Sequence, residues 1–480
     1  MKQNVLIVIH SNTYFNELYK LSLLLLHSKQ FEPVVLFPIN YSRKNDNILL
    51  CIHQGLQCLD ENGHAINAET AEIAVRQSKL AASATQHPTS LRSNTLKILR
   101  FLQIDFVFGI LYMVVYLKKR IAFARNVIQN HSISLVVLGG DLVHYDSSAF
   151  IRAGHELGIK SVIVPCTMSN ALEMAESYYY DQRYNTKTLG NWLAAKLMPE
   201  WMYEHKGKKL LRTPADRAFA MYIMRLSPPF PWINNSSFAD AIAAESEMMK
   251  LYYTREGIPA TQITVTGSPS HDILASGRTD FEARKRNVLS TLGLDPGKPL
   301  ILSPLVPNQH YLEGGRPDCT FDTYEHLVEF WMHAVSKLSP HYSVVVNLHP
   351  SVKIADYKKY EKYGLLVTDN DIASLIPYCD FFVASVSSII RWAIACGKPV
   401  LNYDVYKFRY TDYLYQPGVI TVEDKEEFAE LLQKFGFDSS YLAELRIKQE
   451  IFANKWGILD AHAHSRLIKL FSSLTQKGNT

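Results

Sequence analysis

DFFVASVSSIIRWAIACGKPVLNYD, residues 380–404, reads as strand, turn, helix and strand in quick succession. The run 380–384 carries no polar face, as a strand covered by helices on both sides requires. Ser385, Ser387 and Ser388 supply a turn, and the helix expected from about Ser388 closes at Gly397, with Pro399 leading into a second apolar strand at 400–403. A buried strand that enters a helix through a tight polar turn and returns as another strand is the repeating unit of a doubly wound parallel sheet. The expected class is therefore α/β.

Outward from this stretch the same alternation continues. Apolar, β-branched runs at 5–9, 33–37, 134–138, 161–165 and 262–266, and again at 300–303, 343–348, 364–367 and 400–403, alternate with helical patterns. The restart after DPGKP at 295–299 separates two Rossmann-like domains, expected at 1–276 and 298–459. Residues 277–297 connect them, and 460–480 forms a last helix packing back on the first. Segments of about 67–131 and 170–250 read as helical insertions in the first domain. Two parallel-sheet domains facing a cleft would hold ligands at the carboxyl ends of their strands, where the loops here are polar.

Composition narrows the function. With 480 residues, 47% hydrophobic and 20% charged, the chain must fold, and a formal charge of +4 is too small for a protein that wraps nucleic acid. Six cysteines without a CxxC pair speak against a disulfide framework or structural zinc, and no HExxH, GxSxG, P-loop or glycine-rich dinucleotide loop occurs. The apolar run at the start ends after Ile9, too short for a secretory leader, so a cytoplasmic location is expected. The stretch 104–117 is apolar nearly all round but shorter than the roughly 17 residues a membrane span needs. It reads as a core helix, while Lys118, Lys119 and Arg120 keep open a peripheral contact of 104–120 with the inner face of the plasma membrane.

Several strand ends carry chemistry. VVVNLHPSVK, 344–353, places His349 and Pro350 after an apolar strand, where an imidazole can bind phosphate or protonate a leaving group. The serine turn offers amides and hydroxyls as a phosphate seat, an N-cap serine being the plainer reading. After the first strand of the second domain come Ser303, Asn308, Gln309 and His310. In the first domain His10 and Asn12 follow the first strand, and Gly139, Gly140 and Asp141 follow a central one. The glycines there would permit close approach, and Asp141 could take an acceptor proton. Asp369-Asn370-Asp371 mimics a cation-binding DxD but precedes IASLIPYC, where Asp caps a helix, so neither a metal nor another cofactor is expected.

The order strand-HP, then strand-SS-helix-GKPV, preceded by VTGSPSHD at 265–272, resembles nucleotide-sugar enzymes of the GT-B glycosyltransferase superfamily. The HP and SS pair is most similar to cytidine-nucleotide users: polysialyltransferases, related CMP-sugar transferases and CDP-glycerol polymerases. TGSPSHD and GKPV are equally similar to UDP-N-acetylglucosamine 2-epimerases. The resemblance implies a donor nucleotide on the C-terminal domain, with His349 and Ser387/Ser388 on its phosphate. The acidic-acidic-Gly motif of the sialyltransferases is missing, so a catalytic base does not carry over. The expected function is metal-independent transfer of a sugar to a glycan or lipid-linked glycan in bacterial surface polysaccharide assembly. The favoured donor is a CMP-linked ulosonic acid such as sialic acid or Kdo, with a UDP-sugar possible. Alternatives are a UDP-N-acetylhexosamine 2-epimerase, a CDP-polyol phosphotransferase or a non-catalytic scaffold.

Overall fold

The computed structural model describes residues 2–41, 43–82, 105–168, 170–236, 238–278, 280–310, 316–349 and 352–476. Two compact units result: Met1–Ala243 with Tyr253–Thr264 and Leu467–Thr480, and Ala244–Tyr252 with Val265–Arg466.

The amino-terminal half contains β1 (Gln3–Val8), β2 (Phe31–Leu36), β3 (Gln57–Leu59), β4 (Ala65–Ile66), β5 (Ile133–Leu138), β6 (Lys160–Ile163), a hairpin of β7 (Met202–His205) and β8 (Lys208–Leu211), then β9 (Ala241–Ala244) and β10 (Ile263–Val265). All but the hairpin form one sheet in the order β10-β9-β6-β5-β1-β2-β3-β4. Its strands run parallel from β3 to β9. Leu135, Val136, Val137 and Leu138 are consecutive and all buried, because helices cover both faces of the sheet. The second sheet contains β11 (Leu300–Pro304), β12 (Ser343–Asn347), β13 (Leu366–Thr368), β14 (Phe381–Ala384), β15 (Val400–Tyr403) and β16 (Val419–Val422). Its order is β13-β12-β11-β14-β15-β16, parallel throughout.

The two sheets wind alike. From β1 the chain steps outward to β2 and β3 and then returns to the other side of β1 as β5. From β11 it steps to β12 and β13 and returns beside β11 as β14. The winding therefore reverses between β1 and β5, and between β11 and β14, the two places in the sheets where successive carboxyl-end loops lead away from each other.

Three expectations need correction. The segment 170–250 is not only helical: it contains the β7–β8 hairpin and β9, a strand of the main sheet. The helix Asp105–Asn130 is not sunk in the core along its first half. Val107, Phe108, Leu111, Tyr112 and Val115 are exposed, while Leu117, Ile121, Ala124, Val127 and Ile128 are buried: the two sets lie on opposite faces of the helix, and the outward face, apolar in the first half and polar from Lys118 on, is left uncovered. Residues 277–297, expected as a connection, lie within the second unit, whose chain begins at Ala244 and resumes at Val265. The last helix, Ala463–Thr475, carries Leu467 and Phe471 into the core of the first unit, where Phe471 meets Phe31 at a ring distance of 6.3 Å.

Gly139 and Gly140, after β5, are required by packing. A Cβ on Gly140 would lie 2.6 Å from Tyr14 Oη, and one on Gly139 would lie 2.9 Å from Cys166 Sγ. Gly140→Ala should destabilise the protein by about 1–3 kcal/mol. Tyr14→Phe, which removes the nearest atom, should recover part of that loss, and denaturant titration of the two single variants and the double checks it. Equal and additive losses would show that the two residues do not compete for this space.

Candidate functional site

At the reversal point of the second sheet, β14 ends in Ser385-Val386-Ser387-Ser388. Val386 has φ +44, a left-handed conformation that a β-branched residue adopts only when its surroundings impose it. Asn402, on β15, imposes it from below: its Oδ1 accepts from Val386 N at 2.8 Å, and its Nδ2 donates to Thr421 Oγ1 at 3.2 Å. The turn is fixed from the other side by a buried ion pair. Arg391 donates through Nε to Glu245 Oε1 and through a terminal nitrogen to the Ser388 carbonyl at 2.7 Å. Trp392 Nε1 donates to the other Glu245 oxygen at 3.2 Å. Arg391 and Glu245 are each only 1% exposed, so each charge depends on the other for solvation.

This anchoring changes the local structure read from sequence. The helix begins at Ile390, not at Ser388, and spans only Ile390–Ala395 before Gly397, at φ +69, closes it. Ser387 Oγ accepts from Ile389 N at 3.3 Å, a bond within the turn; the N-cap position is Ile389, which has no side-chain cap, so no serine caps this helix as the sequence suggested. Ser385 Oγ is buried and has no hydrogen-bond partner among the described residues. Six residues give a weak helix dipole, so any attraction for phosphate rests on amides and hydroxyls of the turn.

The neighbouring strand ends contribute next. His349 follows β12, adjacent to β11; its ring keeps an exposed face, yet enough protein surrounds it that burial holds its imidazole below the usual histidine value. Pro350 lies outside the described residues. The loop after β11 is tied down by Tyr406, whose hydroxyl donates to the Pro307 carbonyl at 2.6 Å and lies 3.3 Å from Gln309 N. Asn308 Oδ1 accepts from His310 N at 3.0 Å, and burial lowers the His310 pKa. Ser303 sits deeper: it is fully buried, and its hydroxyl accepts from Trp331 Nε1 at 2.9 Å, so core packing occupies it rather than a ligand. Asp371 precedes the short turn Ile372–Ser374 without a side-chain capping bond, whereas its carbonyl accepts from Ser374 Oγ at 2.6 Å; the expected carboxylate cap is a backbone one.

At the reversal point of the first sheet, His10 is 1% exposed and stacks on Tyr145 with ring centroids 5.4 Å apart. Burial brings its pKa down to about 4, Asp146 opposing and Arg120 reinforcing, so the ring is neutral at pH 7. Asn12 Oδ1 accepts from Asn47 Nδ2 at 2.9 Å. Asp141 is buried and locked to Asn235: its carboxylate accepts from Asn235 N, while Asn235 Oδ1 accepts from Asp141 N at 3.2 Å. Asn235 is itself left-handed, at φ +67, and donates to Tyr253 Oη at 2.7 Å. The glycines beside Asp141 are filled by Tyr14 and Cys166 and leave no room for close approach from that side.

Sequence reasoning did not single out Glu245, Arg391, Asn402 or Asn235. A lone arginine in the apolar run IIRWAIA was the available signal, because a charge in that setting demands a partner. Two cavities, of about 700 Å³ beside Asp240 and about 420 Å³ beside Ser343, open at the amino ends of strands and contain none of these residues. We place the candidate site at the carboxyl ends on topological grounds.

No family model matches the chain, and no curated protein does. Solved structures do. The wall teichoic acid polymerase TagF aligns with a TM-score of 0.53 at 10% identity, covering 100% of this chain and 90% of its own. The UDP-GlcNAc 2-epimerase of Neisseria meningitidis, bound to UDP-GlcNAc, aligns with a TM-score of 0.50 at 12% identity over 98% and 100%. MnaA of S. aureus, in complex with UDP, gives 0.50 at 14% identity over 98% and 97%. At such identities the likeness establishes the fold: the chain has the GT-B architecture of two Rossmann-type domains.

Glu245→Ala should cost about 3–5 kcal/mol in denaturant unfolding, because it leaves Arg391 buried without a counter-charge. Adding Arg391→Met should cost less than the sum of the single changes. A loss below 1 kcal/mol for Glu245→Ala would mean that the pair does not hold the turn.

Proposed function

We propose that the chain is a metal-independent glycosyltransferase that binds a nucleotide-activated sugar on its C-terminal domain and a glycan acceptor on its N-terminal domain. The observation that carries this reading is the serine turn: a strained polar turn, held by Asn402 and by the Arg391–Glu245 pair, at the one place in the second sheet where the winding reverses. Strain maintained by buried anchors is stored where backbone amides must be aimed. In this reading Ser387 and Ser388 meet the phosphate, and His349 donates a hydrogen bond to it. Asn308, Gln309 and His310 border the nucleotide. Loss of a nucleotide phosphate from an anomeric carbon leaves a developing anion, which such donors stabilise without a cation. The solved structures with UDP-GlcNAc, with UDP and of a teichoic acid polymerase support a nucleotide-linked substrate. A CMP-linked ulosonic acid remains our favoured donor, on the HP and SS motifs.

A second reading, a UDP-N-acetylhexosamine 2-epimerase, is supported by the two UDP-related structures just described. It differs in needing no acceptor. Asp141 is our proposed base on the acceptor side. No helix among the described residues is long and apolar enough to cross a membrane. The exposed apolar face of Asp105–Asn130, followed by Lys118 and Lys119, supports a peripheral contact with anionic lipid on the cytoplasmic side.

Thermal shift with CMP, CDP and UDP identifies the base, since a ligand that binds only the folded state raises the melting temperature. Ser387→Ala with Ser388→Ala, or His349→Ala, should weaken the preferred nucleotide roughly 10- to 100-fold, the value of one or two hydrogen bonds to a charged group. Unchanged affinity in a folded variant would refute the phosphate seat. EDTA should leave turnover intact; loss restored by Mg²⁺ or Mn²⁺ would refute metal independence. Asp141→Asn keeps an oxygen for the Asn235 amide, so it should fold normally and lower turnover by about 10²- to 10⁴-fold with nucleotide affinity unchanged. Near-normal turnover would exclude Asp141 as base. Interconversion of a UDP-sugar in the absence of any acceptor would favour the epimerase.

A further inference from the structure

The loop that leaves β5 as GGDLVHYD, 139–146, runs into a concentration of positive charge that the transfer chemistry above does not use. Arg212, directly after β8, is fully buried, and Arg217, in the helix Ala215–Ile223, is partly so. Neither forms an ion pair among the described residues. The nearby carboxylates serve other groups. Asp146 pairs with Arg120 at 2.8 Å, Asp181 with Arg183 at 2.5 Å, and Asp216 accepts the Arg217 amide at 2.8 Å. Arg217 spends its guanidinium on the carbonyls of Val143, at 2.7 Å, and Tyr145, at 3.5 Å. Arg212 donates to Tyr178 Oη at 2.6 Å and Asn234 Oδ1 at 3.5 Å, and its Nε has no partner. Arg212 is buried with no carboxylate in ion-pair contact, and Arg217 is partly buried with Asp146 and Asp216 acting on it without a direct ion pair; together they project a positive potential on whatever faces them.

What faces them is a polar aromatic shelf. Tyr178 Oη lies 3.3 Å from His144 Nε2. One arrangement of this pair, with the phenol donating to Nε2, leaves His144 with its proton on Nδ1 as a hydrogen-bond donor. Burial, then Arg212, Arg217 and Arg183, bring the His144 pKa down to about 3, so this donor does not add a charge of its own. The His144 ring nevertheless keeps an exposed surface. Beside it the rings of Tyr178 and Tyr184 are stacked with centroids 4.0 Å apart, and His144 meets each edge-on at 6.3 Å. Stacked tyrosines are a usual platform for the apolar face of a sugar ring, and an accessible N–H above buried cations suits an oxygen anion.

We propose that His144, Tyr178, Tyr184, Arg212 and Arg217 form a binding site for a saccharide that bears a carboxylate or a phosphate. His144 Nδ1–H and the Tyr184 ring contact the ligand, while Arg212, acting through Tyr178, and Arg217 supply the potential. This deepens the transferase reading by giving the acceptor an acidic chemistry, and it rests on that reading only for the word acceptor.

Calorimetric titration of the full chain, without nucleotide, separates the possibilities. The probes are a sialic acid trimer for the carboxylate, a glycerol phosphate trimer for the phosphate and maltotriose as the neutral control. One of the two anionic probes should bind at least about 10-fold more tightly than maltotriose, and which one does so identifies the group. His144→Asn, at an exposed position, and Tyr178→Phe, which keeps the ring, should each remove most of that preference while the nucleotide thermal shift persists as a check on folding. Equal binding of neutral and anionic probes, no binding of either anion, or full preference in both variants would overturn the site. Absence of any nucleotide shift in the unaltered chain would count instead against the transferase reading and leave the anion titration to be judged separately.

Discussion

A parallel sheet buried on both faces must place helices on both sides, and to do so its chain has to reverse direction of winding at one strand. Loops on either side of that strand then lead away from each other, and the backbone between them is left open to a ligand. In this protein the constraint acts twice, at β1/β5 and at β11/β14, because both sheets have the same strand order around their first strand. Almost every residue of interest is a consequence. His10 and Gly139 to Asp141 flank one reversal, and Ser385 to Ser388 and the 305–310 loop flank the other.

The two reversals have been filled in different ways. In the second sheet the turn is held open and strained by partners below it, Asn402 and Arg391, and its serines remain at the strand ends. In the first sheet the protein's own Tyr14 and Cys166 press on the glycines, and Asp141 is fastened to Asn235. Cationic and aromatic groups become available only further along that loop, around His144. Hydroxyls and amides on one sheet, and guanidinium potential with tyrosine faces on the other, make chemically distinct surfaces from the same topology.

The strands with unbroken β-branched runs, such as SLVVL before Gly139 and SVVVN before Leu348, could be read directly, since burial on both faces writes itself into composition. β9 could not, because AIAA is built from small residues that fit helices as well, and it is a strand only because β6 pairs with it. The apolar character of 105–117 was visible, but whether a helix finds a neighbour on each side is decided by distant chain. The start of the serine helix shifted by two residues for a similar reason: Arg391 reaches Glu245, 146 positions away, and draws the Ser388 carbonyl with it. Local pattern places the turn, and long-range charge pairing shapes it. Gly140 shows the reverse error, a glycine read for ligand access whose lack of a side chain serves Tyr14.

Glu245 lies upstream of both the linker-like segment at 277–297 and Val265, where the second unit's chain resumes. Cutting the polypeptide at the boundary that composition suggests would yield a C-terminal half with every strand of its sheet but without the Glu245 carboxylate that Arg391 pairs with. Such a half would relax by expelling Arg391, and the serine turn would lose its shape while the sheet around it stayed intact. The second domain is thus continuous in space but divided in sequence. Its serine turn therefore depends on a carboxylate that lies outside the continuous stretch Val265–Arg466 carrying the turn, so that stretch alone lacks a group on which the turn is built.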